Sequence, residues 1–539
     1  VQTNDTGELV LASYKGFVSH PPGYPLFHWL NSIVISAINI QSVFWRCCLL
    51  SALVGLSTLI FLSKVPKEER PLGLSFALYL GSTFLVWRYF VYPDVFSFHL
   101  FLVVLISYFS LKTESPVDSF LPWFLFAISF SHHLTVFFLF PVLIASTESW
   151  RHLSWGLAGF SVGGFFSFLL YGSLFLLKTQ NIYSWGNIDS ISGFLNHLLR
   201  LDFGFLKLRS QSPYNPIEVL KDFFVFLGAE YWLPIVVLIL VFGHGFKNAN
   251  RCTRRQIVGI VASLVVYVSG FLPLCNFPIT GLEQELLRRF YLHPLFLLVI
   301  LILILIDNIG LRPSIKRGLI VVLFIQSGWN FYRYYPQNNF SNNTILRDLA
   351  RNKLSSIKQS QEKKEGSIYL APNDTDFFTM VYVNETLGVV DNLLVTSAGR
   401  FGFAWYREKV KKWHENFWLP PLGDGKNVIL FEDLIANNLE VFDVYVSSQE
   451  RLDHEFGFSF YGLVQKVHER QIFRFVDHNQ KYNINYFPER ASHYSFFSEA
   501  FLQYCYYYLA RGQHYLAEKE PNLAKEVFKR GYRMVSSCF

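Results

Sequence analysis

"TNDTGELVLASYKGFVSHPPGYP" runs from Thr3 to Pro25 and sets the reading of the whole chain. It carries two carboxylates, Asp5 and Glu8, with Gly7 between them, then His20 and three prolines at 21, 22 and 25. Three positions apart, Asp5 and Glu8 share a face if the segment is helical. The prolines fix φ and remove backbone donors, so the loop is stiff. Long apolar runs follow at once. A polar, acid-bearing arm therefore stands at the mouth of the first membrane passage in view.

The remainder of the chain fits that setting. Of its 539 residues 51% are hydrophobic, 18% aromatic and only 16% charged, with a mean hydropathy of +0.27. A hydrocarbon core of about 30 Å needs about 20 apolar residues. Runs of that kind lie near 44–63, 72–91, 96–112, 119–146, 153–177, 224–243, 257–275, 290–307 and 318–334. The expectation is an α-helical polytopic bundle of roughly ten or more helices. The run at 119–146 is interrupted by Ser131-His132-His133 and reads as two short helices meeting there. The 56 phenylalanines read as lipid-facing and core packing. A net charge of +7 does not point to nucleic acid; in a membrane protein the question is where the charge sits.

It sits on one side. Lys64, Lys67, Arg70, Lys112, Arg151, the Lys247–Arg255 cluster, Arg312, Lys316 and Arg317 all fall on one face if 119–146 crosses twice. By the positive-inside rule that face is cytoplasmic. Asp5, Glu8, Asp94 in "VYPDVF", the histidines at 132 and 133, the loop 178–223, "LEQELLRRFYLHP" and the tail after about 335 then share the opposite face.

Beyond residue 335 no run is long enough to span. "GSIYLAP" and "NVILFED" read as short buried strands with helices between them, an α/β domain outside the membrane. "YYYLARGQHYLAEKEPNLAKEVFKRGYRMV" reads as a helix pair opened in its second half by Pro521, with Gly512 and Ala524 spaced as in a tetratricopeptide unit. One unit is short of the roughly three a solenoid needs, so it reads as a cap. The expected domains are 1–334 in the membrane, 335–490 outside it and 491–539 as the helical cap. The chain starts at Val1, and a transmembrane helix is expected ahead of it. Cys505 and Cys538 are available to pair outside, with connectivity open. Sequons stand at Asn339, Asn342, Asn373 and Asn384. No CxxC, HExxH, Walker or GxGxxG pattern is present.

"DTGELVLASYKGFVSHPPGYPLFHWL" resembles the opening signature of a transmembrane O-mannosyltransferase family with bacterial members and a member in the endoplasmic reticulum. "YPDVFSF", "SHHLTVFFLFP", "YSWGNIDSISGFLNHLLRLDFG", "LLRRFYLHP" and "NDTDFFTMVYVNETLGVVDNLLVTSAGRFGFAWY" resemble further family segments in order. Asp94 stands where the family usually has Glu, and Asn187-Ile188 where it has Asp-Pro.

The resemblance implies a GT-C fold and transfer of a sugar, mannose, from a polyprenyl-phosphate donor to a hydroxyl of a protein Ser/Thr or a glycan. It implies Asp5 as the base, with Glu8 orienting it or holding a divalent cation. His20, His132 and His133 would meet the leaving phosphate or the sugar. Arg288 and Arg289 would pair with the phosphate bidentately. Asp94, Trp185, Asn187, His197 and Arg200 complete the substrate-binding set.

Plainer roles stand beside these. Asp5 suits a helix cap, the histidine pair a bundle interior, the arginines interface anchors, Trp185 an interface belt, and His197 with Arg200 a polar helix face. The expected location is a bacterial inner membrane with the C-terminal domain in the periplasm, or an endoplasmic-reticulum membrane with that domain in the lumen. Membrane lipids are partners in either case. A non-catalytic scaffold on the same fold, or a transporter, are the other classes. A transporter predicts internal repeats, and none is visible.

Overall fold

Apolar runs punctuated by Ser, Thr and Pro give the chain its helices, and those same residues decide where the helices break. The computed structural model describes residues 4–177, 179, 181–202, 215–275, 277–279, 281–339, 344–363, 365–419, 431–447, 456–469, 473–476 and 495–535. Two compact units result. One is Ala12–Thr179 with Asn187–Asn338; the other is Val1–Leu11, Gln180–Gly186 and Asn339–Phe539.

The first unit is helical. Among the described residues, four of its helices are long and apolar enough to cross a membrane: Val43–Ser63, Trp150–Leu176, Arg251–Cys275 and Glu283–Ile309. The last is the central one, with 89% of its apolar window buried against 22% for Val43–Ser63. Two bent pairs, Arg70–Ser82 with Phe84–Val91 and Pro216–Glu230 with Trp232–Asn248, turn by 78° and 91°. The chain is an integral membrane protein.

The runs near 72–91 and 224–243 are thus not straight spans. At Thr83 the backbone is extended and the hydroxyl donates to the Leu80 carbonyl at 2.7 Å, taking the place of a helical bond. Tyr231, at the other bend, donates to the Thr83 hydroxyl at 3.1 Å and so ties the two breaks together. The run 119–146 is interrupted at its histidines, with an apolar helix over Phe120–Ser129 and another over Phe140–Ser146. Ser131 turns its hydroxyl onto the Ile128 carbonyl at 2.6 Å, and His133 is extended. Gly159 lets the Trp150–Gly172 helix close on the Phe120 carbonyl, where a Cβ would come within 2.1 Å.

The second unit holds a six-stranded sheet: β1 Ser367–Leu370, β2 Leu393–Thr396, β3 Asp443–Ser447, β4 Gly457–Tyr461, β5 Val464–His468 and β6 Phe473–Val476. Their order is β2-β1-β3-β5-β4-β6. β2, β1 and β3 are parallel, with Ile368 level with Leu394 and Val444. Parallel neighbours need a crossover, and the Asp374–Leu387 helix supplies it between β1 and β2. The three parallel strands are buried throughout, with apolar and aromatic residues at their centres.

"GSIYLAP" forms β1 as expected. The strand expected over "NVILFED" falls mostly outside the described residues, and its last three, Phe431 to Asp433, open the Phe431–Ala436 helix. Helices Ser495–Ala517 and Pro521–Val535 pack together, with Gly512 against the Phe528 ring. Their likeness to a tetratricopeptide unit rests on spacing alone. Cys538, and with it the pairing expected with Cys505, and the sequon at Asn342 lie outside the described residues.

Candidate active site

The stiff loop of the opening stretch lies between helices Asn4–Lys15 and Pro25–Ala37. His28, one turn into the second helix, ties the first helix and the loop to it: Nδ1 bonds the Ser13 hydroxyl at 2.8 Å and Nε2 the Ser19 hydroxyl at 2.7 Å. Gly23 has φ +91°, and a Cβ there would meet His197 Nε2 at 2.9 Å. Glycine is needed both for that dihedral and for the imidazole to lie against the loop. Arg200 reaches back and donates to the Pro21 carbonyl at 2.5 Å. The segment carrying His197 and Arg200 therefore buttresses the loop.

Four of the expected residues, His20, His133, Arg200 and Arg289, line one cavity of about 420 Å³. Tyr24 joins them: its hydroxyl is 3.4 Å from His20 Nε2 and its ring stacks on His133 at 6.2 Å. Apolar lining comes from Phe130, Phe137, Phe138, Phe271, Leu274 and Phe290. The cavity thus combines guanidinium and imidazole donors with a phenylalanine surface. That is the chemistry for a molecule with an anionic head and a hydrocarbon tail.

The arginine pair is divided. The helix Gly281–Arg288 tightens into a 3₁₀ turn at Arg289–Tyr291, and the two side chains diverge. Arg288 pairs with Asp222 at 3.0 Å, where Gln284 and Tyr291 also donate at 2.6 and 2.9 Å. Arg289 lies over the Phe96 and Phe290 rings, 5.4 Å from each, and lines the cavity.

The other expected residues are elsewhere. His132 is fully buried and bonds the Val95 carbonyl at 2.8 Å. Asp94 is buried at the head of the Val95–Leu111 helix. His197 is buried behind the loop, and the Asn187 carbonyl packs against Gly193. Trp185 belongs to the sheet-containing unit, where it packs on Phe403 and Trp405 with the Arg400 guanidinium 5.3 Å from its ring. Asp5 and Glu8 also belong to that unit, on the first turns of the Asn4–Lys15 helix. Gly7 between them packs on Phe378, where a Cβ would meet Phe378 Cβ at 3.2 Å. Glu8 is buried and Asp5 partly exposed. Among the described residues no group of three or more His, Cys, Asp or Glu is arranged to hold a metal ion. A cation at Asp5 and Glu8 would have two carboxylates from this pair.

Sequence reading missed Tyr24, Thr135, His99 and His293. His99 and His293 form a buried pair at 2.9 Å. A histidine inside an apolar span was the available signal.

Comparison with known proteins bears on this arrangement. The family described as Protein O-mannosyl-transferase TMEM260 N-terminal domain matches residues 5–68, the stretch that holds both carboxylates and the proline loop. Protein O-mannosyl-transferase tmem260 of Dictyostelium discoideum is 25% identical over 419 residues, covering 66% of this chain and 51% of its own length. Protein O-mannosyl-transferase TMEM260 of Mus musculus is 22% identical over 488 residues, covering 82% and 65%. The chain is similar to both proteins along most of its length. It spans between about half and two thirds of these relatives' length. The crystal structure of ArnT from Cupriavidus metallidurans in the apo state superposes with a TM-score of 0.53 at 10% identity, over 87% of this chain and 92% of that one. This chain therefore shares the fold of that structure.

Proposed function

We propose that this chain is a membrane glycosyltransferase that moves mannose from a polyprenyl-phosphate donor to a protein Ser or Thr hydroxyl on the extracytoplasmic face. The observation that carries the reading is the cavity, lined both by Arg200, Arg289, His20 and His133 and by phenylalanines. A lipid donor presents its phosphate where hydrocarbon meets water, and such a cavity suits it. The family motif supports Asp5 as the group that takes the acceptor proton. Arg289 and Arg200 neutralise the phosphate as it gains charge. The basic loops support a topology in which residues 335–539 lie outside the cytoplasm. Of the two locations expected from sequence we take the endoplasmic reticulum, because both relatives are eukaryotic.

The test is transfer of labelled mannose from a polyprenyl-phosphate donor to a Ser/Thr peptide by the purified chain in lipid nanodiscs. Asp5→Asn keeps volume and removes the basic oxygen, and its turnover should fall by about 10²- to 10⁴-fold at matched thermal stability. Near wild-type turnover in Asp5→Asn would remove Asp5 from this role. No transfer by the intact chain across several donors and acceptors would favour a non-catalytic scaffold.

A further inference from the structure

A backbone N–H can only donate, and here that fixes the position of a proton. The Thr135 amide donates to His133 Nδ1 over 3.4 Å. Nδ1 is therefore the bare nitrogen, and the single proton of the neutral ring is on Nε2. The Thr135 hydroxyl lies 2.6 Å from the same Nδ1, and facing a bare nitrogen it must donate. Its oxygen is left to accept, and His99 Nε2 is 3.3 Å away. His99 thus carries its proton on Nε2, shared with His293 Nδ1 at 2.9 Å. His293 in turn is protonated on Nε2.

The ladder ends in the bundle without partners. His99 Nδ1 and His293 Nε2 are buried with no hydrogen bond among the described residues. Tyr267 stacks on His293 at 4.5 Å. Apolar side chains would fill this space without leaving ring nitrogens unmet in a membrane interior. The other end opens on the cavity, which the His133 ring lines together with Arg200 and Arg289.

We propose that Thr135, His99 and His293 are positioning residues that hold His133 in its Nε2–H tautomer, so that this N–H donates to the phosphate oxygen from which the sugar departs. The proposal rests on the donor reading above. In the transfer step the bond from C1 to the phosphate oxygen breaks and its electron pair stays on that oxygen. The acceptor oxygen bonds C1 and its proton goes to a general base. The phosphodiester monoanion becomes a polyprenyl phosphate dianion. His133 transfers no proton; its hydrogen bond strengthens as charge collects on the leaving oxygen. The opposite tautomer would turn a bare nitrogen toward an anion.

The experiment combines ¹⁵N-histidine NMR with steady-state kinetics on the full chain in nanodiscs, for wild type, Thr135→Val and Thr135→Ser. Wild type should show His133 protonated on Nε2. Thr135→Val keeps the amide contact at 3.4 Å but loses the hydroxyl contact at 2.6 Å, so it should admit a share of the Nδ1–H tautomer and lower kcat roughly tenfold, short of the ~10²-fold cost of losing such a donor outright, with KM for the polyprenyl-phosphate donor unchanged. Thr135→Ser should restore both readouts. Protonation of His133 on Nδ1 in the wild type would overturn the ladder, whether or not any variant folds. So would a Thr135→Val protein with wild-type tautomer and kcat. A wild-type protein that transfers no sugar would overturn the donor reading and the leaving-group role with it, while the nitrogen shifts still decide the tautomer.

Discussion

Arg289 lines the cavity while Arg288, the residue before it, is bound to Asp222 at 3.0 Å. Two identical, adjacent cations thus have different work. Arg289→Ala should weaken binding of a polyprenyl-phosphate donor at least tenfold and leave thermal unfolding nearly unchanged. Arg289→Lys should recover only part, because the guanidinium fork is lost. Arg288→Ala should do the reverse. It leaves the buried Asp222 with Gln284 and Tyr291 as donors among the described residues, and should cost about 1–2 kcal/mol of stability with donor affinity kept. Binding and unfolding measured side by side on both variants check this. Equal loss of donor binding in the two would contradict the division.

Gly23 is the hinge of the proline loop. Its φ of +91° disfavours any side chain, and a Cβ would press on His197 Nε2 at 2.9 Å. Gly23→Ala should cost about 1–3 kcal/mol and shift His20 and Tyr24 at the cavity. The expected kinetic signature is a fall in transfer larger than the fall in stability. Transfer at the wild-type rate, with the melting midpoint unchanged, would mean the loop adapts.

The sheet-containing unit carries its own strong test. Lys353 Nζ is wholly buried, 2.6 Å from Asp376 and 2.7 Å from the Tyr369 hydroxyl. Breaking one side of such a pair leaves a charge in an apolar interior. Lys353→Met should therefore destabilise by about 3–5 kcal/mol, and the double variant Lys353→Met, Asp376→Leu should recover much of it. Thermal unfolding of the full chain reads both. A double variant no better than the single would show that the carboxylate is not the source of the cost.

Sequence made some of this legible and not the rest, for identifiable reasons. The loop 16–24 was visible because glycine and proline restrict the backbone locally, whatever they pack against. The break at Ser131–His133 was visible because polar residues interrupt an apolar run. The bends at Thr83 and Tyr231 were not, because a 20-residue hydropathy window averages over direction. Each depends on a hydroxyl whose partner is set by the fold, and for Tyr231 that partner is 148 residues away. Which arginine of the pair meets the cavity turns on a single 3₁₀ turn, below the precision of any helical wheel. His99 and His293 are 194 residues apart and meet only in the folded bundle. Trp185 sits in a segment read as part of a membrane-side loop, and its aromatic neighbours come from residues 403 and 405.

The most direct measurement is photo-crosslinking with a polyprenyl-phosphate mannose that carries a diazirine in its first isoprene units, on the full chain in nanodiscs. Phe137, Phe138, Phe271 and Leu274 are apolar residues lining the cavity and should carry the adducts. Arg289→Ala should abolish them, and unlabelled donor should compete them away. Adducts confined to other faces of the bundle, unaffected by Arg289→Ala, would contradict the assignment of this cavity as the donor site.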